Sequence, residues 1–173
     1  KDKKRNQEKD LRRLTHLFAD ARAHAAAVAN PARNPKVDLA LEALAPVARG
    51  ELPLVIRADA ESDIRGALAF AGERGLKLIV AGGLEAWRCA EALKAADAAV
   101  LLDVDRLPRR EADPYDAAYA NAAALHRAGV RFAIVSDDAS MSRNLPYQAA
   151  MARAFGLPAE AALRAITLSP AEI

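Results

Sequence analysis

The chain has 173 residues, 53% of them hydrophobic and 5% aromatic, and a formal net charge of +2 at pH 7. That length suits one domain of ordinary size, while the near-neutral charge and the scarcity of aromatics argue against a nucleic-acid partner. The single cysteine, Cys89, excludes an intrachain disulfide and a thiolate metal cluster.

Basic residues gather at the start, where Lys1, Lys3, Lys4, Arg5, Lys9, Arg12 and Arg13 alternate with Asp2, Glu8 and Asp10. Mixed charge of this kind reads as a solvated helix face. No apolar run reaches the length of a membrane span and no signal peptide is recognisable. The expectation is a soluble chain without a membrane partner, its compartment open because Lys1 is not an initiator methionine.

From about Asp10 to Ala29 the chain lacks Gly and Pro and places Leu11, Leu14, Leu17, Phe18, Ala21 and Ala25 at helical spacing, which predicts an amphipathic helix. Asn30-Pro31 and Asn34-Pro35 end it, because a residue before proline is driven out of helical geometry. A second helix carries Val37, Leu39, Leu41, Leu44 and Val47, with Pro46 trimming or kinking its last turn and Arg49-Gly50 closing it. Residues 1–50 thus read as an N-terminal helical segment.

Residues 51–173 change texture to four strand-helix units. Leu52–Ile56 is the first strand, and Ser62 caps a helix to Arg74-Gly75. Leu76–Ala81 is the second strand, followed by Gly82-Gly83 and a helix from Glu85 to about Ala96. Ala99–Leu102 is the third, then a polar loop and a helix from about Tyr115 to Arg127. Val130–Val135 is the fourth, before helices at about Pro146–Phe155 and Pro158–Ile166. The first three strand centres lie roughly two dozen residues apart, the repeat of βα units in a parallel sheet. Their continuous apolar runs predict strands covered on both faces.

The fold class is therefore α/β, with parallel strands alternating with helices. A small doubly wound sheet and one half of an eight-stranded barrel both fit. In either, chemistry lies beyond the C-terminal strand ends. That places Arg57 and Asp59, Gly82 and Gly83, Asp103 and Asp105, and Ser136, Asp137 and Asp138 on one rim.

Converging aspartates there suit Mg²⁺, but aspartates after strands also cap helices and make turns. Gly82-Gly83 leaves amides for an anion or simply makes a tight turn, the preferred reading, since neither G-x-G-x-x-G nor a Walker lysine is present. His16, His24 and His126 fall on helices and read as solvated or packed. Ser136 and Ser140 lie on a loop without a nucleophile elbow. Cys89, in Trp87-Arg88-Cys89-Ala90, reads as a buried structural thiol.

From about Asn34 onward, ordered motifs resemble the amidohydrolase superfamily, near its imidazolonepropionase-like members. Asp38–Leu44 with Gly50-Glu51-Leu52-Pro53 resembles the approach to the fifth barrel strand. Arg57-Ala58-Asp59 with Asp63-Ile64 resembles the strand-five turn, and Gly83-Leu84-Glu85-Ala86 the strand-six turn. Asn121, Leu125 and Ala128-Gly129-Val130 resemble the approach to strand eight. Ser136-Asp137-Asp138, Arg143-Asn144-Leu145-Pro146, Gly156-Leu157-Pro158 with Ala162-Leu163, and Thr167–Ile173 then follow in order.

The resemblance implies the C-terminal half of a TIM-type (β/α)8 barrel from an enzyme whose divalent metal, usually zinc, activates water against carbon–nitrogen bonds. It implies Asp137 as catalytic group and metal ligand, with Arg57, Asp138 and Asn144 as substrate-binding candidates. It also exposes departures. Arg57 stands where the family has its strand-five histidine, and a guanidinium cannot ligate. Gly82 stands where it has its strand-six histidine, and the strand-one His-x-His is absent from the chain. One carboxylate does not hold a catalytic ion, so no cofactor is expected for this chain.

Two functions follow. The chain is a portion of an amidohydrolase-type hydrolase, inactive alone, or a catalytically silent binding or scaffold module. A half-barrel leaves two open strand edges, so the expected partners are the missing N-terminal half-barrel or another copy, with a small-molecule substrate for the parent protein. Arg57 is expected to form a partly buried internal ion pair with Asp59, Asp137 or Asp138 that replaces the charge of the metal.

Overall fold

A computed structural model of the chain describes residues 2–30, 36–107 and 110–173, with side chains from residue 9 onward. The chain divides into two units, residues 1–53 with 75–77, and residues 54–74 with 78–173. The first unit holds the N-terminal helices together with the short return through Gly75–Lys77. The prolines at 31 and 35 lie outside the described residues.

In the first unit, helix α1 spans Asp2–Val28 and α2 spans Leu39–Ala48. Phe18 and Ala21 are buried, whereas Leu11, Leu14 and Leu17 of the same expected stripe remain exposed. Asp38 caps α2 by accepting from the amides of Ala40 and Leu41, the role for which a short carboxylate is favoured. Pro46 sits inside α2 without ending it before Ala48.

The second unit holds β1 (Leu54–Ala58), α3 (Glu61–Gly72), β2 (Leu78–Gly82), a 3₁₀ turn (Ala86–Cys89), α4 (Ala90–Ala95), β3 (Ala99–Leu102), α5 (Ala117–Ala128) and β4 (Phe132–Ile134). A second 3₁₀ segment (Ala139–Asn144), α6 (Leu145–Ala154), α7 (Ala159–Ile166) and α8 (Leu168–Glu172) complete it. The strands pair in parallel in the order β1-β2-β3-β4. Sequence order equals spatial order, as in consecutive strands of a barrel and unlike a doubly wound sheet, whose order reverses at a switch point.

One sheet face is packed over β2, β3 and β4, with Ile56 of β1 partly buried. Val80, Val100, Leu102 and Ile134 alternate onto it and are buried, each worth roughly 1.5–3 kcal/mol when removed from water. The opposite face is covered unevenly, with Ile79, Ala99 and Ala133 buried on it but β1 departing from the expectation of cover on both sides. Val55 is 54% exposed, and Ala81, Leu101 and Val135 are only partly buried. The apolar run of β1 therefore does not report two covered faces.

Other corrections are local. The strands begin about two residues later than expected, except β3. Helix α3 is capped by the backbone at Ala60, with Ser62 inside its first turn. The helix after Gly83 opens as a 3₁₀ turn, and its Cys89 is buried as expected. The loop after β4 is partly the 3₁₀ segment, and α8 was not anticipated.

Candidate functional site

The C-terminal strand ends form one rim. Arg57 lies in β1 in the register row Arg57, Ala81, Leu101, Ala133. Its guanidinium donates from both terminal nitrogens to the two carboxylate oxygens of Asp137, at 2.7 and 2.6 Å. Asp137 follows β4, so the pair joins the two outermost strands. In a flat sheet three strand spacings of about 4.8 Å would separate those strands by roughly 14 Å. The sheet must therefore be strongly curved, with Arg57 and Asp137 reaching across its concave side.

The pair is more open than the sequence suggests, with side chains 54% and 30% exposed. Its geometry is nonetheless the two-pronged fork that Arg makes with carboxylates. Those hydrogen bonds, with the adjacent positive charge, hold the Asp137 carboxyl below its usual range. They also raise the Arg57 guanidinium, which stays charged. Asp137 adopts a left-handed backbone with φ +56°, a conformation aspartate tolerates better than most residues.

Asp138 turns away from this pair. Its carboxylate accepts from the amide and hydroxyl of Ser140 and so caps the 3₁₀ segment, which lowers its carboxyl. Asn144 stands further along and donates to the sulfur of Met141 at 3.8 Å. It lines a cavity of about 330 Å³ with Val104, Asp105, Tyr119, Tyr147 and Gln148. The structure thus brings Arg57 to Asp137 and leaves Asp138 and Asn144 with separate contacts.

Asp103 is buried, and burial pushes its carboxyl up. It accepts from the Asp105 amide at 3.1 Å and lies 3.5 Å from Arg106. Gly82 and Gly83 take positive φ, +94° and +67°, which glycine adopts without steric cost. A Cβ at Gly82 would collide with the Asp59 carboxylate, and one at Gly83 with Val100. The Gly83 amide donates to Ala58 and the Glu85 amide to Asp59, both at 2.9 Å. The pair makes a tight turn whose amides serve the fold.

Sequence reasoning missed the polar residues that hold this rim from beneath. Glu85 is 2% exposed. It accepts from the Glu61 amide at 2.7 Å and from Arg110 at 3.1 Å twice. Asn121 is buried and donates to the carbonyls of Gly83 and Leu84. The sequence marked both only as members of the family-like motifs around Glu85 and Asn121, without a sign of the partners each would hold.

The donor set does not fit a catalytic divalent metal. Among the described residues no group of three or more His, Cys, Asp and Glu is arranged to hold one. Arg57 already engages both oxygens of Asp137, and His16, His24 and His126 lie on α1 and α5. Replacing Gly82 by histidine would meet Asp59.

Four in-order parallel strands with helices between them and a common C-terminal rim define part of a (β/α)8 barrel. The chain is similar in structure to an amidohydrolase from Thermotoga maritima MSB8, with a TM-score of 0.76 and 23% identity. The match covers 96% of this chain but 43% of that one, so the chain spans less than half the length of the protein it matches. No family model matches the sequence, and neither does any curated protein. No helix among the described residues is long and apolar enough to cross a membrane.

Proposed function

We propose that the chain is a ligand-binding half-barrel of the amidohydrolase type, in which the Arg57–Asp137 ion pair stands in place of a catalytic metal. The Arg57–Asp137 fork carries this reading. A divalent ion would polarise water or a carbonyl at such a rim. Here Arg57 supplies fixed positive charge to Asp137 and presents no lone pair for coordination. Asp137 is thereby kept ionised and oriented, its oxygens directed to the guanidinium rather than to a water. The rim retains the shape of a binding surface without the donor set that activates a nucleophile.

A second reading keeps the chemistry of the family: a parent hydrolase acting on non-peptide carbon–nitrogen bonds. The coverage of 43% of the Thermotoga amidohydrolase favours it, since residues outside this chain would complete both barrel and metal site. The imidazolonepropionase-like subgroup belongs to this reading and rests on the sequence motifs alone. In both readings β1 and β4, the outer strands of the sheet, would pair with a missing half-barrel or with a second copy. Neither reading involves nucleic acid.

Assay of the chain against a panel of cyclic and linear amides, with and without a chelator, tests the binding-module reading. No turnover under either condition is expected. Hydrolysis abolished by the chelator would overturn the binding-module reading in favour of the hydrolase.

A further inference from the structure

Gln148 on α6 is 6% exposed, and its side-chain carbonyl oxygen has no hydrogen-bond partner among the described residues. Buried acceptors in native proteins are nearly always satisfied, so this one calls for a donor. Gln148 also lines two adjoining depressions. One is the 330 Å³ cavity, whose wall includes Tyr119, Tyr147, Met151 and Val104. The other, about 300 Å³, contains Asp103, Asp105, Asp137 and Asp138 with Arg106.

Asp105 lines both as well. The remaining acidic groups are already engaged, Asp137 by Arg57, Asp138 by Ser140 and Asp103 by Arg106 and the Asp105 amide. The Asp105 carboxylate is exposed and has no ion-pair partner among the described residues. The shared edge of the two depressions thus carries one uncompensated negative charge and one buried acceptor. An aromatic and thioether wall stands beside them.

We propose that this groove binds a small organic cation with N–H donors on a flat apolar body, of the amidine or primary amine class. One N–H donates to the Gln148 carbonyl oxygen, the cationic charge faces Asp105, and the apolar body lies along Tyr119, Tyr147 and Met151. A small set of polar groups fixing a ligand against an apolar wall is the usual construction of such sites. An anion would face the Asp105 carboxylate at this edge and leave the Gln148 carbonyl oxygen without a donor.

This deepens the reading of the rim as a binding surface, and the two can fail separately. Benzamidine, benzoate and benzyl alcohol would be titrated into the full chain and followed by ¹H–¹⁵N NMR. Benzamidine should shift the resonances of Gln148, Asp105 and Tyr119, and benzoate and benzyl alcohol should not. Asp105→Asn, an exposed change, and Gln148→Leu should each weaken benzamidine by about fivefold or more, the loss of one charge-assisted or buried hydrogen bond. Gln148→Glu, which keeps an acceptor and adds charge, should retain or tighten it and guards against misfolding of the leucine variant. Absence of benzamidine binding, equal binding of benzoate, or unchanged affinity in Asp105→Asn would overturn the proposal. None of these depends on whether Asp137 holds zinc, which decides the reading beneath it.

Discussion

Arg57 and Asp137, eighty positions apart in sequence, close the two outer strands of the sheet against each other through a two-pronged ion pair. The contact reaches across the rim and holds the Asp137 carboxyl below its usual range. It also orients Asp137 at a left-handed backbone position, where few other residues would sit without strain.

The pair should be visible by titration. The Asp137 carboxyl lies below its usual range through the hydrogen bond and charge of Arg57. A depressed carboxylate contributes stability that is present above its unfolded pKa of about 3.9 and lost as pH falls through the folded value. Arg57→Ala should return Asp137 upward and flatten this acid-side slope, as read by carboxyl ¹³C NMR and by urea unfolding against pH. Asp103 has the opposite sign. Burial raises it, so its contribution is lost as pH rises from the ordinary carboxylate range through the raised folded value. Asp103→Asn should remove that loss.

Gly82 tests the fit of the site to a histidine. Gly82→Ala places a Cβ against the Asp59 carboxylate at φ +94°, a conformation costing non-glycine residues on the order of 1–3 kcal/mol. Chemical denaturation should show that loss. Combining it with Asp59→Ala should recover the steric part and leave the backbone part, a coupling that a double-mutant cycle measures. Fully additive losses would mean that the carboxylate does not occupy the space beside Gly82.

Glu85 holds the first turn of α3 and Arg110 from inside the fold. Glu85→Ala strands the Glu61 amide and removes the carboxylate that Arg110 meets. The expected loss is on the order of 2–4 kcal/mol by urea unfolding. Glu85→Gln keeps an acceptor and should lose less. Equal losses in the two variants would show that packing volume, not hydrogen bonding, matters there.

The exposed side of the sheet predicts association. Val55 on β1 is half-exposed and apolar, and β1 and β4 are the outer strands of the sheet, the positions at which a strand edge can pair further. Sedimentation should detect self-association that rises with concentration, and Val55→Lys should weaken it. A monomer at every concentration, unaffected by Val55→Lys, would remove the second copy as a partner and leave only a missing half-barrel.

The strand-helix rhythm, the parallel order and the rim positions were legible because they depend on local periodicity and on where strands end. An ion pair of Arg57 with Asp59, Asp137 or Asp138 was expected because the strand ends share one rim, but the choice of Asp137 was not legible. The exposure of the pair was not legible either, since it depends on how far the sheet curves. Nor was the open face at Val55, because an apolar strand reads alike whether its second face is packed or bare. Glu85, Asn121 and Gln148 escaped for another reason. The partners of the first two, and the lack of one at the Gln148 carbonyl, arise from elements distant in sequence, and nothing in a helix pattern distinguishes a buried amide from a solvated one.

The central claim, that an arginine–aspartate pair occupies the place of the metal, is tested most directly by metal analysis. The purified chain would be equilibrated with excess zinc, freed of unbound ion by gel filtration, and measured for zinc per chain. Well below one equivalent is predicted, unchanged by Asp137→Asn, because Asp137 is committed to Arg57 and imidazole and thiolate ligands are missing from the rim. About one tightly held zinc per chain, lost in Asp137→Asn, would contradict the account.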